Sequence, residues 1–150
     1  MTDNTNQTID WSLQKTMQDI TIGEELSPIY IDVTLQRLVM EAAANRDLSL
    51  IHHDASMAKA TGANDAYANT FFLYGMIERL ALEWGGVKTF IRKIGPLRML
   101  SFNCTGDKLA FHGKVSEIIK DEDTVILDVW VDNAGKVSAT SQVKVILPKQ

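Results

Sequence analysis

Along this chain the spacing of apolar residues changes once, from mixed helix and strand signals to a long alternation. Ile29, Ile31 and Val33 alternate with Tyr30, Asp32 and Thr34, which predicts a strand with one buried face. Leu35, Leu38, Val39, Ala42 and Ala43 recur at helical spacing, so a helix is predicted over LQRLVMEAAA. Asp54 stands before ASMAKAT as an N-cap, and Gly62 stops that short helix. The stretch 65–84, DAYANTFFLYGMIERLALEW, has apolar groups on nearly every side, with only Glu78, Arg79 and Glu83 interrupting them toward its far end. A helix of that kind has to be enclosed by the rest of the fold. Gly85 and Gly86 end it.

From residue 87 onward the period is two. VKTFIRKIG, PLRMLSFNC, LAFHGKVSEII, TVILDVWV and KVSATSQVKVIL are predicted strands, separated by Pro96, Thr105-Gly106-Asp107, Asp121-Glu122-Asp123 and Asp132-Asn133-Ala134-Gly135. Short links between them predict an antiparallel meander. The plan is therefore α+β: one strand, helices, a central apolar helix, then four or five antiparallel strands curling round that helix. Such a sheet has an edge, and chains of this size often dimerise there. Residues 1–10 are rich in Thr, Asn and Gln without apolar period and predict a mobile tail. Trp11 to Ile20 predict a short helix or a docking segment. The expected organisation is a flexible N-terminal segment over 1–18 and one domain over 19–148.

Composition narrows the function classes. The 150 residues are 45% hydrophobic and 23% charged, as in an ordinary globular chain with length for one core. A net charge of −4 argues against nucleic-acid binding, which needs a basic face. The densest basic cluster, Lys88, Arg92 and Lys93, is short and reads as a solvated edge. The polar start, MTDNTNQTID, is no signal peptide, and no apolar run approaches the ~20 residues of a membrane span. A single cysteine, Cys104, excludes an internal disulfide and fits a reducing compartment. The expectation is a cytoplasmic protein without a membrane partner.

Residues 46–54, RDLSLIHHD, place four ionisable side chains beside Leu48, Leu50 and Ile51. Asp47 and His52 are separated by four residues. A carboxylate and an imidazole brought together can hold one water, take its proton and hand a proton back to a substrate carbon. Apolar neighbours are expected to raise the Asp47 pKa and couple the pair. Helix capping by Asp47 and an ordinary loop histidine would explain the same residues. His53 and Asp54 read as a pocket-edge residue and a helix cap. A metal site from His52, His53 and Asp54 is disfavoured, because adjacent side chains point apart. A Ser49–His52–Asp47 triad lacks the strained nucleophile turn such sites use. His112 reads as a plain strand residue.

RDLSLIHHD resembles the catalytic motif of the MaoC-like hydratases and dehydratases of the hot-dog fold, S-G-D-x-N-P-I-H-x-D. Asp47, Ile51, His52 and Asp54 match it, while Ser49 and Leu50 stand where the family usually has Asn and Pro. ITIGEELSP also looks like the family's opening strand, and the likeness covers about residues 19–148. RDLSLIHHD, GANDAYANT, LEWGG and IRKIG look closer still to the small MaoC-type subunits of heteromeric hydratases acting on steroid side-chain enoyl-CoA esters.

The resemblance implies a hot-dog domain that adds water across a trans-2-enoyl-CoA to give a 3-hydroxyacyl-CoA of R configuration. Asp47 and His52 would activate the water. Coenzyme A would enter as part of the thioester substrate, with no separate cofactor. Backbone N–H groups at the start of the central helix would bind the thioester oxygen. Counting without gaps from His52 places Asn69 and Thr70 there; five inserted residues would place Gly75 there instead. The partner would be a second MaoC-like chain, in a homodimer or a heteromer. Two other readings stay open: an acyl-CoA thioesterase, and a non-catalytic acyl-CoA-binding subunit.

Overall fold

The computed structural model describes residues 9–149, so most of the tail expected over 1–10 lies outside the described residues. The element order is β1 (Ile29–Asp32), α1 (Leu35–Asn45), α2 (Ala55–Ala60), α3 (Thr70–Gly85), β2 (Phe90–Ile94), β3 (Arg98–Met99), β4 (Lys108–Ile119), β5 (Thr124–Asn133) and β6 (Lys136–Ile146). All strand pairings are antiparallel and form one sheet in the order β1-β4-β5-β6-β2, with β3 also on β6. No helix of the described residues is long and apolar enough to cross a membrane.

The sheet curls where the long strands bulge: Ser116 on β4 and Ser138 on β6 are extra residues in the register and add twist. Its concave face carries Leu109, Phe111, Val115, Leu127, Val129, Val131, Val143 and Val145, all buried. Helix α3 lies against that face through Leu73, Ile77, Leu80 and Ala81, each at most 1% exposed. Burying each of the larger three stabilises by about 1.5–3 kcal/mol. Helix and sheet approach closely at Gly113, where a Cβ would stand 3.3 Å from Val129 Cγ1 and 3.5 Å from Leu80 Cδ2.

Four expectations are corrected. The meander holds only for β4-β5-β6; β2 reaches across to β6, so a crossover separates it from its sequence neighbours. PLRMLSFNC forms a strand only at Arg98–Met99, because Leu100 and Ser101 both turn their N–H groups to the single carbonyl of Ser138. Helix α3 starts at Thr70 and not at Asp65, since Ala68 N–H bonds Asn103 O and Thr105 N–H bonds Ala66 O, which holds this stretch extended. Finally, α3 is not enclosed all round. Phe71, 58% exposed, begins an open stripe continued by Gly75 and Glu78.

Residues 11–20 form turns without a helix, and the stretch docks on the end of α3. Gln14 donates from Nε2 to Gly85 O over 2.7 Å and accepts at Oε1 from Lys88 N over 2.7 Å. Gly86, at φ 90°, leaves room there for the Leu13 carbonyl.

Candidate active site

Asp47 is placed by the end of α1. Arg46 takes the left-handed conformation (φ 56°, ψ 32°) and turns its N–H back to Ala42 O and Ala43 O. Asp47 N–H then bonds Ala42 O at 2.8 Å, which folds the chain over the helix end. Asp47 Oδ1 accepts from Ser49 N at 3.2 Å, a local turn that leads into one 3-10 turn at Leu50–His52. The side chains at 47 and 52 thereby converge, and His52 Nε2 stands 3.1 Å from Asp47 Oδ2.

His52 is buried, and its other nitrogen fixes its tautomer. Nδ1 lies 2.7 Å from the Tyr67 carbonyl, which can only accept, so Nδ1 carries a proton. In the neutral ring Nε2 is bare. That nitrogen faces Asp47 Oδ2 across 3.1 Å. Tyr67 is held in turn by its N–H to Ile51 O at 3.3 Å, a β-bridge to Cys104 and an edge-on contact with the imidazole.

The third member comes from the start of α3. Asn69 is buried and acts in two directions. Its Oδ1 accepts from Phe72 N at 2.9 Å, capping α3, and its Nδ2 donates to Asp47 Oδ2 at 3.2 Å. Among the described residues the N–H groups of Thr70 and Phe71 make no hydrogen bond, as expected for the first turn of a helix. Asp47, His52, Tyr67, Asn69, Thr70 and Met99 line a cavity of about 250 Å³ together with Phe71. Gly75 lies a turn further along, inside α3, and lines a different space.

The expected rise of the Asp47 pKa is reversed. The Ser49 N–H on its carboxylate holds it below the ordinary value, against the upward push of burial, and Asn69 and His52 add to the lowering. Apolar neighbours are present in sequence, but the carboxylate meets donors and remains partly open, with 29% side-chain exposure. Asp54 caps α2 by accepting from Ser56 N and Met57 N, and His53 is exposed. His112 sits on β4, stacked on Trp130. Lys88, Arg92 and Lys93 are exposed, with Arg92 3.7 Å from Glu122.

Sequence reasoning missed the carboxyl of Glu41 on α1. Burial raises its pKa, against the lowering influence of Asn45, His52 and Asn69. Its one signal was a lone acid within the apolar and small run LVMEAAA. It lines a larger groove of about 640 Å³ between α1 and α3, with Arg37, Asn45, Phe71, Gly75 and Glu78.

Comparison with known proteins bears on the fold and the family. A scan against protein-family models finds no match. The chain is 32% identical over 90 residues to the 3-oxo-4,17-pregnadiene-20-carboxyl-CoA hydratase beta subunit of Mycobacterium tuberculosis, covering 60% of this chain and 67% of that protein. It superposes with a TM-score of 0.80 on a chain of the ChsH1-ChsH2 complex from the same organism, at 25% identity, covering 85% of this chain and 98% of that one. The unliganded R-hydratase PhaJ1 of Pseudomonas aeruginosa shares the fold, with a TM-score of 0.81 over 90% of this chain and 86% of that one, at 20% identity. An antiparallel sheet curled about a single helix, with relatives of this kind in sequence and in structure, places the chain in the MaoC-like hydratase and dehydratase family of hydro-lyases.

Proposed function

We propose that the chain is an enoyl-CoA hydratase in which Asp47 and His52 activate the attacking water. The observation that carries this reading is the 3.1 Å approach of His52 Nε2 to Asp47 Oδ2, at a cavity that the first turn of α3 also lines. Water loses a proton to the dyad as its oxygen bonds C3 of the trans-2-enoyl thioester. The electron pair of the double bond moves toward the thioester carbonyl, and a proton from the dyad completes C2. The product is a (3R)-3-hydroxyacyl-CoA, and no other reactant is consumed. Negative charge builds on the thioester oxygen, where the N–H groups at the start of α3, from Asn69 and Thr70 onward, and the helix dipole would stabilise it. A backbone donor needs no particular side chain, so Thr70 can serve where the family often has glycine.

The substrate class we infer is an acyl-CoA ester with a bulky acyl group, such as a steroid side chain. The large α1–α3 groove shares Phe71 with the dyad cavity, and the beta-subunit relative is named for such an ester. A second MaoC-like chain, identical or different, would cover the cavity mouth. The supporting observation is the exposure of Phe71 (58%), which lines the cavity, and of Leu48 (83%) and Leu100 (62%), the chain neighbours of the lining residues Asp47 and Met99. A thioesterase would leave free thiol, whereas hydration leaves none.

The test is a panel of trans-2-enoyl-CoA esters, from short linear chains to a steroid side-chain ester. Loss of the conjugated enoyl absorbance is followed for wild type, Asp47→Ala and His52→Ala, alone and with a co-expressed MaoC-like chain. Turnover by wild type and by neither variant is the expected result. Turnover that survives both substitutions, or release of thiol, would sink the reading.

A further inference from the structure

Three glycines stand inside regular elements without a positive φ: Gly75 and Gly85 on α3, and Gly113 on β4. Close packing explains two of them. A Cβ at Gly85 would collide with Thr89 Oγ1, and one at Gly113 would stand 3.0 Å from Leu26 Cδ2. Gly75 has neither reason. It is exposed, and a Cβ there would meet nothing within 4 Å beyond the backbone of its own helix. Glycine in a helix interior is also less stable than alanine, because it loses more backbone freedom on folding. Position 75 therefore keeps a space empty against the preference of the helix that holds it.

That space belongs to the α1–α3 groove of about 640 Å³. Phe71, Gly75 and Glu78 follow one another at helical spacing along its α3 wall, and Ile31, Met40 and Met76 add apolar surface. Phe71 also lines the dyad cavity, so groove and reacting pair meet one turn before Gly75. The Cα–Cβ bonds of a helix tilt toward its N-terminus, so a side chain at 75 would lean back toward Phe71, where the two spaces join. The dyad cavity, about 250 Å³, is smaller than the ~300–1,000 Å³ of sites for drug-sized ligands, whereas the groove falls within that range. A short acyl chain needs the first space alone; a bulky one needs both. We propose that Gly75 is a specificity-determining residue: by carrying no side chain, it keeps the way from the dyad cavity into the α1–α3 groove open to a bulky acyl group. The proposal rests on the hydratase reading for the reaction that follows, but not for the binding of the ester.

Binding is measured by calorimetry with two saturated CoA esters, which have no double bond to hydrate: butyryl-CoA and a steroid side-chain ester. Wild type, Gly75→Ala and Gly75→Leu are compared, alone and with a co-expressed MaoC-like chain, and each variant's melting transition is recorded. Gly75→Leu is expected to weaken the steroid ester at least about tenfold and butyryl-CoA less than about threefold. Gly75→Ala is expected to melt about 2–4 °C above wild type, since it gains helix stability and meets no neighbour. Gly75→Leu that binds both esters as wild type does, that loses both together or that does not fold would overturn the proposal. So would Gly75→Ala that melts below wild type, because the fold itself would then require the glycine. A wild type that does not bind the steroid ester overturns it as well. The matching trans-2-enoyl esters are then assayed for hydration. A split in binding without any turnover would sink the hydratase reading and leave the role of Gly75 standing.

Discussion

Asn69 and Asp47, twenty-two residues apart, are joined by one 3.2 Å hydrogen bond from amide to carboxylate. The same Asn69 caps α3 through Phe72 N–H, so the helix start and the acid are registered by a single side chain. Two substitutions separate these jobs. Asn69→Asp keeps an oxygen for Phe72 N–H but puts a carboxylate against Asp47 in place of a donor. Asn69→Ala loses both. Chemical denaturation should show Asn69→Ala less stable by about 1 kcal/mol, the usual cost of a lost cap. Asn69→Asp should lose less stability at neutral pH yet more activity. If the two variants fall together in both measurements, the cap alone explains Asn69.

How much of this was legible in the sequence differs by link. Strand β1, helices α1 and α2, and strands β4 to β6 follow from local period and capping, because there the buried face is set by near neighbours. The D-x4-H spacing offered Asp47 and His52, but only the left-handed turn at Arg46 and the Tyr67 carbonyl show how they meet. Arg46 carries no glycine-like signal. The β2–β6 pairing and the Asn69–Asp47 hydrogen bond are long-range, and no local pattern encodes them. The Asp47 pKa was misjudged for the same reason. Burial could be guessed from leucines, whereas the Ser49 N–H that outweighs it depends on backbone direction.

The docked N-terminal stretch makes a separate prediction about Gly86. Its φ of 90° is left-handed, and a Cβ would run into the Leu13 carbonyl and Gln14. Gly62, at φ 92°, has open space around it. Gly62→Ala should therefore cost only the backbone strain, about 1–2 kcal/mol. Gly86→Ala should cost more in urea unfolding, and should release the stretch near Leu13 to proteolysis. Equal costs at both positions would mean that the docking adds no stability.

The exposed apolar residues beside the cavity lining in sequence predict association. Leu100→Asp places a charge next to the cavity-lining Met99, where wild type exposes an apolar side chain. Light scattering should show wild type as a dimer, or as a complex when a MaoC-like chain is co-expressed, and Leu100→Asp shifted toward monomer. A monomeric wild type that turns over enoyl-CoA unaided would remove the need for a partner.

Stability should depend on pH in opposite senses at Asp47 and Glu41. Asp47 is held below the ordinary aspartate value in the fold, so its anion stabilises the native state above that value, and the contribution fades as pH falls through the folded pKa. Glu41 is held above the ordinary glutamate value, chiefly by burial. Between that value and its raised folded pKa the native state binds more protons than the unfolded chain, so stability falls as pH rises through this window. Glu41→Gln removes that loss. Its melting temperature relative to wild type should therefore be higher at about pH 7 than at about pH 4, where both side chains are uncharged. Asp47→Asn should behave in reverse, losing ground to wild type at the higher pH. Calorimetry at the two pH values decides it: a Glu41→Gln difference that does not change with pH would mean that the Glu41 carboxyl ionises in the fold as it does in the unfolded chain.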